Sequence, residues 1–221
     1  AVIVQGGEGG GHTGPVPTTL LLPSVLDALE GTNVAVIAAG GFFDGRGLAA
    51  ALSYGAAGVA MGTRFLLTSD STVPEAVKQR YLAAGLDGTV VSTRVDGMPH
   101  RVLKTGLVEK LESGSRMRGF SAAILNAAKF KKMSKMTWTS MIRDGLAMRH
   151  GKELTWSQVV MAANTPMLLK AGLVDGSTRA GVLASGQVTG IIEDLPSCAE
   201  LIDGIVNDAI KHLQAASSLI D

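Results

Sequence analysis

Three times in its first 85 residues the chain runs a short apolar stretch into glycine and then into helical periodicity. Ala1-Val2-Ile3-Val4-Gln5 leads into Gly6-Gly7, and Val34-Ala35-Val36-Ile37-Ala38-Ala39 leads into Gly40-Gly41. Gly58-Val59-Ala60-Met61 leads into Gly62-Thr63-Arg64. Apolar runs without alternation read as strands buried on both faces, the pattern of parallel sheets covered by helices. The first of them, residues 1–5, is expected to be fully buried. Helices are predicted from Leu20 to Leu29 with Pro23 as the start signal, from Asp44 to Tyr54 with Gly55 as the stop, and over about 73–84 behind Pro74. Strand, glycine turn and helix in succession predict an α/β fold, with a barrel and a doubly wound sheet both compatible.

The 221 residues are 46% hydrophobic and 18% charged, which suits one sizeable globular domain. A formal net charge of +1 gives no general attraction to nucleic acid or to an anionic membrane. The single cysteine, Cys198, allows no internal disulfide, so a reducing cytoplasm is the expected setting. No apolar run reaches the ~18 residues of a membrane span, and the first run lacks the basic flank of a signal peptide.

Further along, residues 88–103 read as a fourth β segment, with a turn at Asp96-Gly97-Met98-Pro99. Residues 107–170 are helical in pattern and rich in Met and Lys. Lys129, Lys131, Lys132 and Lys135 make a basic cluster there, read as a solvated face or as a contact for a phosphate-bearing substrate such as a CoA thioester. A small-residue loop follows, containing Ser185-Gly186-Gln187-Val188-Thr189-Gly190. The last helix, about 197–216, opens on Ser197 and Glu200 at capping-box spacing. Its Leu201, Ile202, Ile205, Val206, Ile210 and Leu213 read as one apolar stripe, suited to the core or to a homodimer.

In parallel β/α folds ligands sit at the carboxyl ends of the strands, and here all three strands end in glycine. Gly40-Gly41 and Gly62-Thr63 together read as a phosphate cradle of exposed backbone N–H groups, with a hydroxyl from Thr63 and charge from Arg64. Neither a Walker-type nor a dinucleotide fingerprint is present. His12 stands on the glycine loop of the first strand, where an imidazole can move a proton or hydrogen-bond an anionic substrate. His100, in a turn, and His150 and His212, on helices, read as solvated surface. Cys198 reads as structural. Neither histidine spacing nor carboxylate clustering predicts a metal site.

The run Gln5-Gly-Gly-Glu8-Gly-Gly10-Gly11-His12-Thr-Gly14 resembles the Gln-Gly-x-Glu-Ala-Gly-Gly-His-x-Gly motif of nitronate monooxygenases, also called 2-nitropropane dioxygenases. Ala38-Ala39-Gly40-Gly41-Phe42 with Asp44-Gly45-Arg46 resembles their second motif, and Met61-Gly62-Thr63-Arg64-Phe65 the third. Gly9 departs from the alanine usual in the first. The resemblance implies an FMN-dependent (β/α)8 TIM barrel with an added helical part. It implies that Gln5, Gly10, Gly40, Gly41, Ala60, Met61, Gly62 and Thr63 contact FMN, and that His12 is catalytic.

That family also includes enoyl-acyl carrier protein reductases and actinobacterial flavin oxidoreductases of steroid-ring breakdown, which the segment 115–170 and the ending Gly190-Ile-Ile-Glu-Asp-Leu-Pro resemble. The expected activity is FMN-dependent oxidation or reduction of a CoA thioester, or oxidation of an alkyl nitronate with O₂. The alternatives are an enoyl-thioester reductase and a non-enzymatic phosphate-ligand module. About four strands are expected where a barrel has eight, so the chain reads as the C-terminal part of a barrel that lacks its N-terminal segment. On that reading residues 1–106 are barrel, 107–175 a helical insertion or subdomain, and 176–221 a return loop and terminal helix packing on the barrel.

Overall fold

The computed structural model describes residues 1–113, 164–177 and 179–220. The lysine cluster and His150 lie outside them. Two compact units are present: one joins Ala1–Thr89 to Ser185–Asp221, the other is Val90–Ala184.

The first unit is parallel β/α. Strands β1 (Val2–Gln5), β3 (Val36–Ala39) and β4 (Gly58–Ala60) form a sheet in that order, and the two-residue strand β2 (Gly11–His12) lies in the loop after β1. Helices α1 (Thr18–Ala28), α2 (Gly45–Tyr54), α3 (Thr63–Leu66) and α4 (Glu75–Leu82) follow the strands, and α7 (Cys198–Ser217) closes the unit. Val4, Leu22, Val36, Ala38, Ala51 and Ala56 make its core, with Leu26, Phe42 and Val59 packed around them.

Three expectations change here. The β1 strand is not buried on both faces: Val4 is, but Ile3 is 68% exposed. β1 forms one edge of its sheet, with β3 its neighbour on the other side. Pro23 does not start α1. The helix begins at Thr18 behind Pro17 and takes Pro23 into its interior. A carboxylate supplied from the β1 loop accepts the Thr18 amide, so the start is set by a partner distant in sequence. The terminal stripe splits in two. Leu201, Ile205 and Ala209 are buried, while Ile202, Val206 and Ile210 remain 45–48% exposed, because only the first ridge faces α2.

In the second unit, the expected β segment is two strands, β5 (Thr89–Ser92) and β6 (His100–Leu103), which pair with each other. Val102 also bridges to Ala184. Helix α5 (Gly106–Ser113) follows β6, and α6 (Asn164–Leu169) runs into a π-turn, Lys170–Val174. Val95, Val102, Val108 and Val182 form this unit's core. His100 is buried at the start of β6, 3.5 Å from the buried Asp96 carboxylate, and is not the solvated turn residue expected. The Asp96 carboxylate also accepts hydrogen bonds from the Met98 amide and the Thr165 hydroxyl. No helix among the described residues is long and apolar enough to cross a membrane.

Candidate active site

The register of the sheet determines what can meet at its carboxyl edge. Gln5 pairs with Ala39, and Ala39 with Ala60, so the three strands end level with one another. Gly6, Gly40 and Met61 therefore begin their loops side by side, and Gln5, Gly41 and Gly62 are all exposed along that edge. A parallel sheet brings backbone amides of separate loops to one place in this way.

At the start of the β1 loop three glycine amides are engaged, one by β3 and two within the loop. Gly6 donates to the Ala39 carbonyl (3.0 Å), Gly7 to Val16 (2.7 Å) and Gly9 to Gly6 (3.0 Å). This part of the loop is a scaffold and not an anion cradle. The next turn follows a path that glycine adopts without strain, with φ of 92° at Gly40 and 85° at Gly41. An added Cβ at Gly62 would meet nothing within 4 Å, so the third turn opens on free space. Its neighbour Thr63 accepts the Gly186 amide on Oγ1 at 2.8 Å and keeps its own hydroxyl hydrogen to donate.

Two groups outside the expected site residues hold these turns together. The half-buried Glu8 carboxylate accepts the Thr18 amide (3.0 Å) and stands 2.8 Å from the Thr18 hydroxyl. That same hydroxyl lies 3.0 Å from the Gly40 carbonyl. Glu8 thus joins the β1 loop, the start of α1 and the Gly40-Gly41 turn. The second group is the segment after Ser185. Its Gln187 amide donates to the Glu8 carbonyl at 2.9 Å, and a Cβ on Gly10 would fall 2.5 Å from the Gly186 nitrogen. The only acid in the glycine loop, and the Gly186-Gln187 pair, were the available signals.

His12 is exposed at the end of the β1 loop, and its carbonyl accepts a hydrogen bond from the Gln5 side-chain amide at 2.8 Å. Arg64 does not bring charge to the cradle. It is 3% exposed, and its Nη2 lies 2.8 Å from the Asp194 carboxylate in the return segment. Burial of a guanidinium needs such a partner. Gln5, Gly40, Gly41, Ala60, Met61, Gly62 and Thr63 therefore share one strand edge, and Gly10 and His12 lie on the loop above β1.

Level strand ends, a two-glycine turn and a histidine loop define a parallel β/α protein of the barrel class. The sequence pattern of the nitronate monooxygenase family matches residues 1–208, and the chain belongs to that family. A protein of Mycobacterium tuberculosis (strain ATCC 25618 / H37Rv) named (3aS,4S,5R,7aS)-5-hydroxy-7a-methyl-1-oxo-octahydro-1H-indene-4-carboxyl-CoA dehydrogenase is 82% identical over 100% of this chain and 62% of its own length. One of the same name from Rhodococcus jostii (strain RHA1) is 68% identical over 99% of this chain and 61% of its own. The chain thus spans about three fifths of the length of these relatives. Among solved structures, FabK from Thermotoga maritima superimposes with a TM-score of 0.69 at 28% identity, over 99% of this chain and 57% of that one. The β/α units are of the (β/α)8 TIM-barrel type.

Proposed function

We propose that the strand-end loops hold FMN and that the chain works in an FMN-dependent oxidoreductase acting on a CoA thioester of a fused-ring carboxylic acid. The observation that carries this reading is the level row of strand ends closed by the Gly40-Gly41 turn and the open Gly62-Thr63 turn. A phosphate monoester can be held by backbone amides of glycine turns at strand ends with one hydroxyl donor. Gly40, Gly41, Gly62 and Thr63 would hold that phosphate, and Gln5, Gly10, Ala60 and Met61 the adjoining chain of the cofactor. The substrate class comes from the two dehydrogenases that are 82% and 68% identical.

A bound flavin supplies a hydride acceptor. His12, exposed beside that site, would take the hydroxyl proton as a substrate carbinol carbon gives up its hydride, leaving a ketone. The family's name favours a second reading, oxidation of an alkyl nitronate with O₂.

The test is anaerobic. Purified enzyme loaded with FMN should lose its absorbance near ~450 nm on adding the hydroxylated CoA thioester and keep it on adding an alkyl nitronate. The reverse result selects the second reading, and no flavin absorbance after adding FMN sinks both. His12→Ala should keep the absorbance and lose bleaching by roughly 100-fold or more in rate. A non-enzymatic phosphate-ligand module would show no turnover for the substitution to remove.

A further inference from the structure

We propose that a cavity between α2, α3, the return segment and α7 is a docking site for a polypeptide segment of another protein, one that presents an arginine or lysine beside an apolar side chain. The proposal stands apart from the flavin reading.

The cavity has a volume of about 460 Å³, within the roughly 300–1,000 Å³ usual for ligand sites. Its walls are the turn after β3, Arg64 on α3, residues 191–194 of the return segment and one face of α7. Two features of these walls are not explained by the chain's own packing. The first is Arg64, only 3% exposed. Its Nη2 reaches the Asp194 carboxylate at 2.8 Å, but its buried Nε has no hydrogen-bond partner among the described residues. A buried donor without an acceptor is costly, and a guanidinium can only donate.

The second is Gly204, in the interior of the 20-residue α7, where glycine weakens a helix relative to alanine. Gly45, on the facing wall, is required by packing, because a Cβ there would fall 2.5 Å from the Ala209 nitrogen. A Cβ on Gly204 would meet nothing within 4 Å. Glycine at 204 lowers the wall of the cavity, so that another backbone can come against α7.

The charges determine what the occupant carries. Five carboxylates and one guanidinium line the cavity, and no other lysine or arginine among the described residues does. Asp44 caps the Gly47 amide and holds Arg46, Glu200 holds Ser197, and Asp208 lies 3.5 Å from His212. Glu193 is exposed. The excess of negative charge selects a cation. Phe43, Ile191, Leu201 and Ile205 put apolar surface beside the acids, which suits the aliphatic stem of a lysine or arginine and an apolar neighbour. The Arg64 Nε needs an acceptor oxygen, and among so many acids a neutral carbonyl is admitted where an anion is repelled. Cation, carbonyl and apolar side chain together describe a peptide segment. A metal ion or a phosphate meets only one of the three requirements.

The experiment titrates the purified protein with acetyl-Leu-Arg-Leu-amide and follows the backbone amide resonances of Gly45 and Gly204. Both should shift, and the affinity should fall with added salt. Gly204→Leu fills the cavity and should weaken binding about tenfold or more. Asp208→Asn and Glu193→Gln should each weaken it about threefold. Acetyl-Leu-Glu-Leu-amide, with the charge inverted, and agmatine, a guanidinium without carbonyl or apolar neighbour, should bind at least about tenfold more weakly. Unshifted resonances, undiminished binding to Gly204→Leu, or equal binding of either control would overturn the proposal. Gly204→Ala should raise the urea midpoint of the protein alone, since its methyl has room. A lowered midpoint would mean that the protein's own polypeptide already fills the cavity. Self-association abolished by Gly204→Leu would mean that a second copy does. Either result also overturns the proposal.

Discussion

Gly40 and Gly41 sit side by side in the same left-handed backbone region but are not equally replaceable. A Cβ on Gly40 would lie 3.0 Å from the Gly6 carbonyl oxygen and 3.1 Å from the Gly9 nitrogen, both backbone atoms. One on Gly41 would meet only the Glu8 side chain, at 3.5 Å. Gly41→Ala should therefore cost about 1 kcal/mol of backbone strain, and Gly40→Ala about 2–3 kcal/mol, since strain and backbone crowding add. Urea unfolding of the two variants checks the order, and equal losses would mean that crowding by the β1 loop is not felt. Both should weaken FMN binding, since each would shift the backbone of the turn proposed to hold its phosphate. At this scale the sequence shows residues whose role is local: a glycine after an apolar run can be read as a turn. Roles fixed by distant partners stay hidden. Arg64 looks available for phosphate until Asp194 is found against it, and His100 looks solvated until the buried Asp96 is found beside it.

Elements repeat the same division. The start of α7 is written in four adjacent residues, and the capping box is present as read. The Ser197 hydroxyl accepts the Glu200 amide at 3.2 Å, and the Glu200 carboxylate accepts the Ser197 amide at 2.8 Å. The same cannot be said of α1, whose start depends on Glu8, or of the α7 stripe, which α2 divides. Ser197→Ala should lower stability by about 1 kcal/mol, seen as a lower urea midpoint with an unchanged slope. Hydrogen bonds from the Ser197 side chain and then its backbone hold the Glu200 carboxyl below the ordinary carboxylate range. A folded-state value below the unfolded one means that stability is present above the unfolded value and lost as pH falls through the folded one. The melting temperature of the native protein should therefore exceed that of Glu200→Gln near neutral pH, with the gap closing in acid. A gap that widens in acid would reverse the sign and exclude the capping box as its source.

At the scale of the whole chain, the first unit is completed only when residues after Ser185 return to residues before Thr89. Hydrogen bonds fasten the returning segment to the start of α3, to the β1 loop and to α4. The Gly186 amide donates to Thr63 Oγ1 at 2.8 Å, the Gln187 amide to the Glu8 carbonyl at 2.9 Å, and the Thr189 hydroxyl to the Tyr81 carbonyl at 3.1 Å. The Thr63 bond ties the return segment to the turn proposed to hold phosphate, so one hydroxyl would have two duties: accepting the amide and donating its hydrogen outward. Thr63→Val keeps the shape, removes both functions and leaves a buried amide without its acceptor, a loss of about 1–3 kcal/mol. Flavin affinity should fall roughly tenfold, with faster amide hydrogen exchange across Gly186–Thr189. Thr63→Ser retains the hydroxyl and should restore both. If valine and serine behave alike in flavin titration and in exchange, the hydroxyl couples nothing, and the return segment is held by its other contacts, among them Glu8, Tyr81 and Arg64.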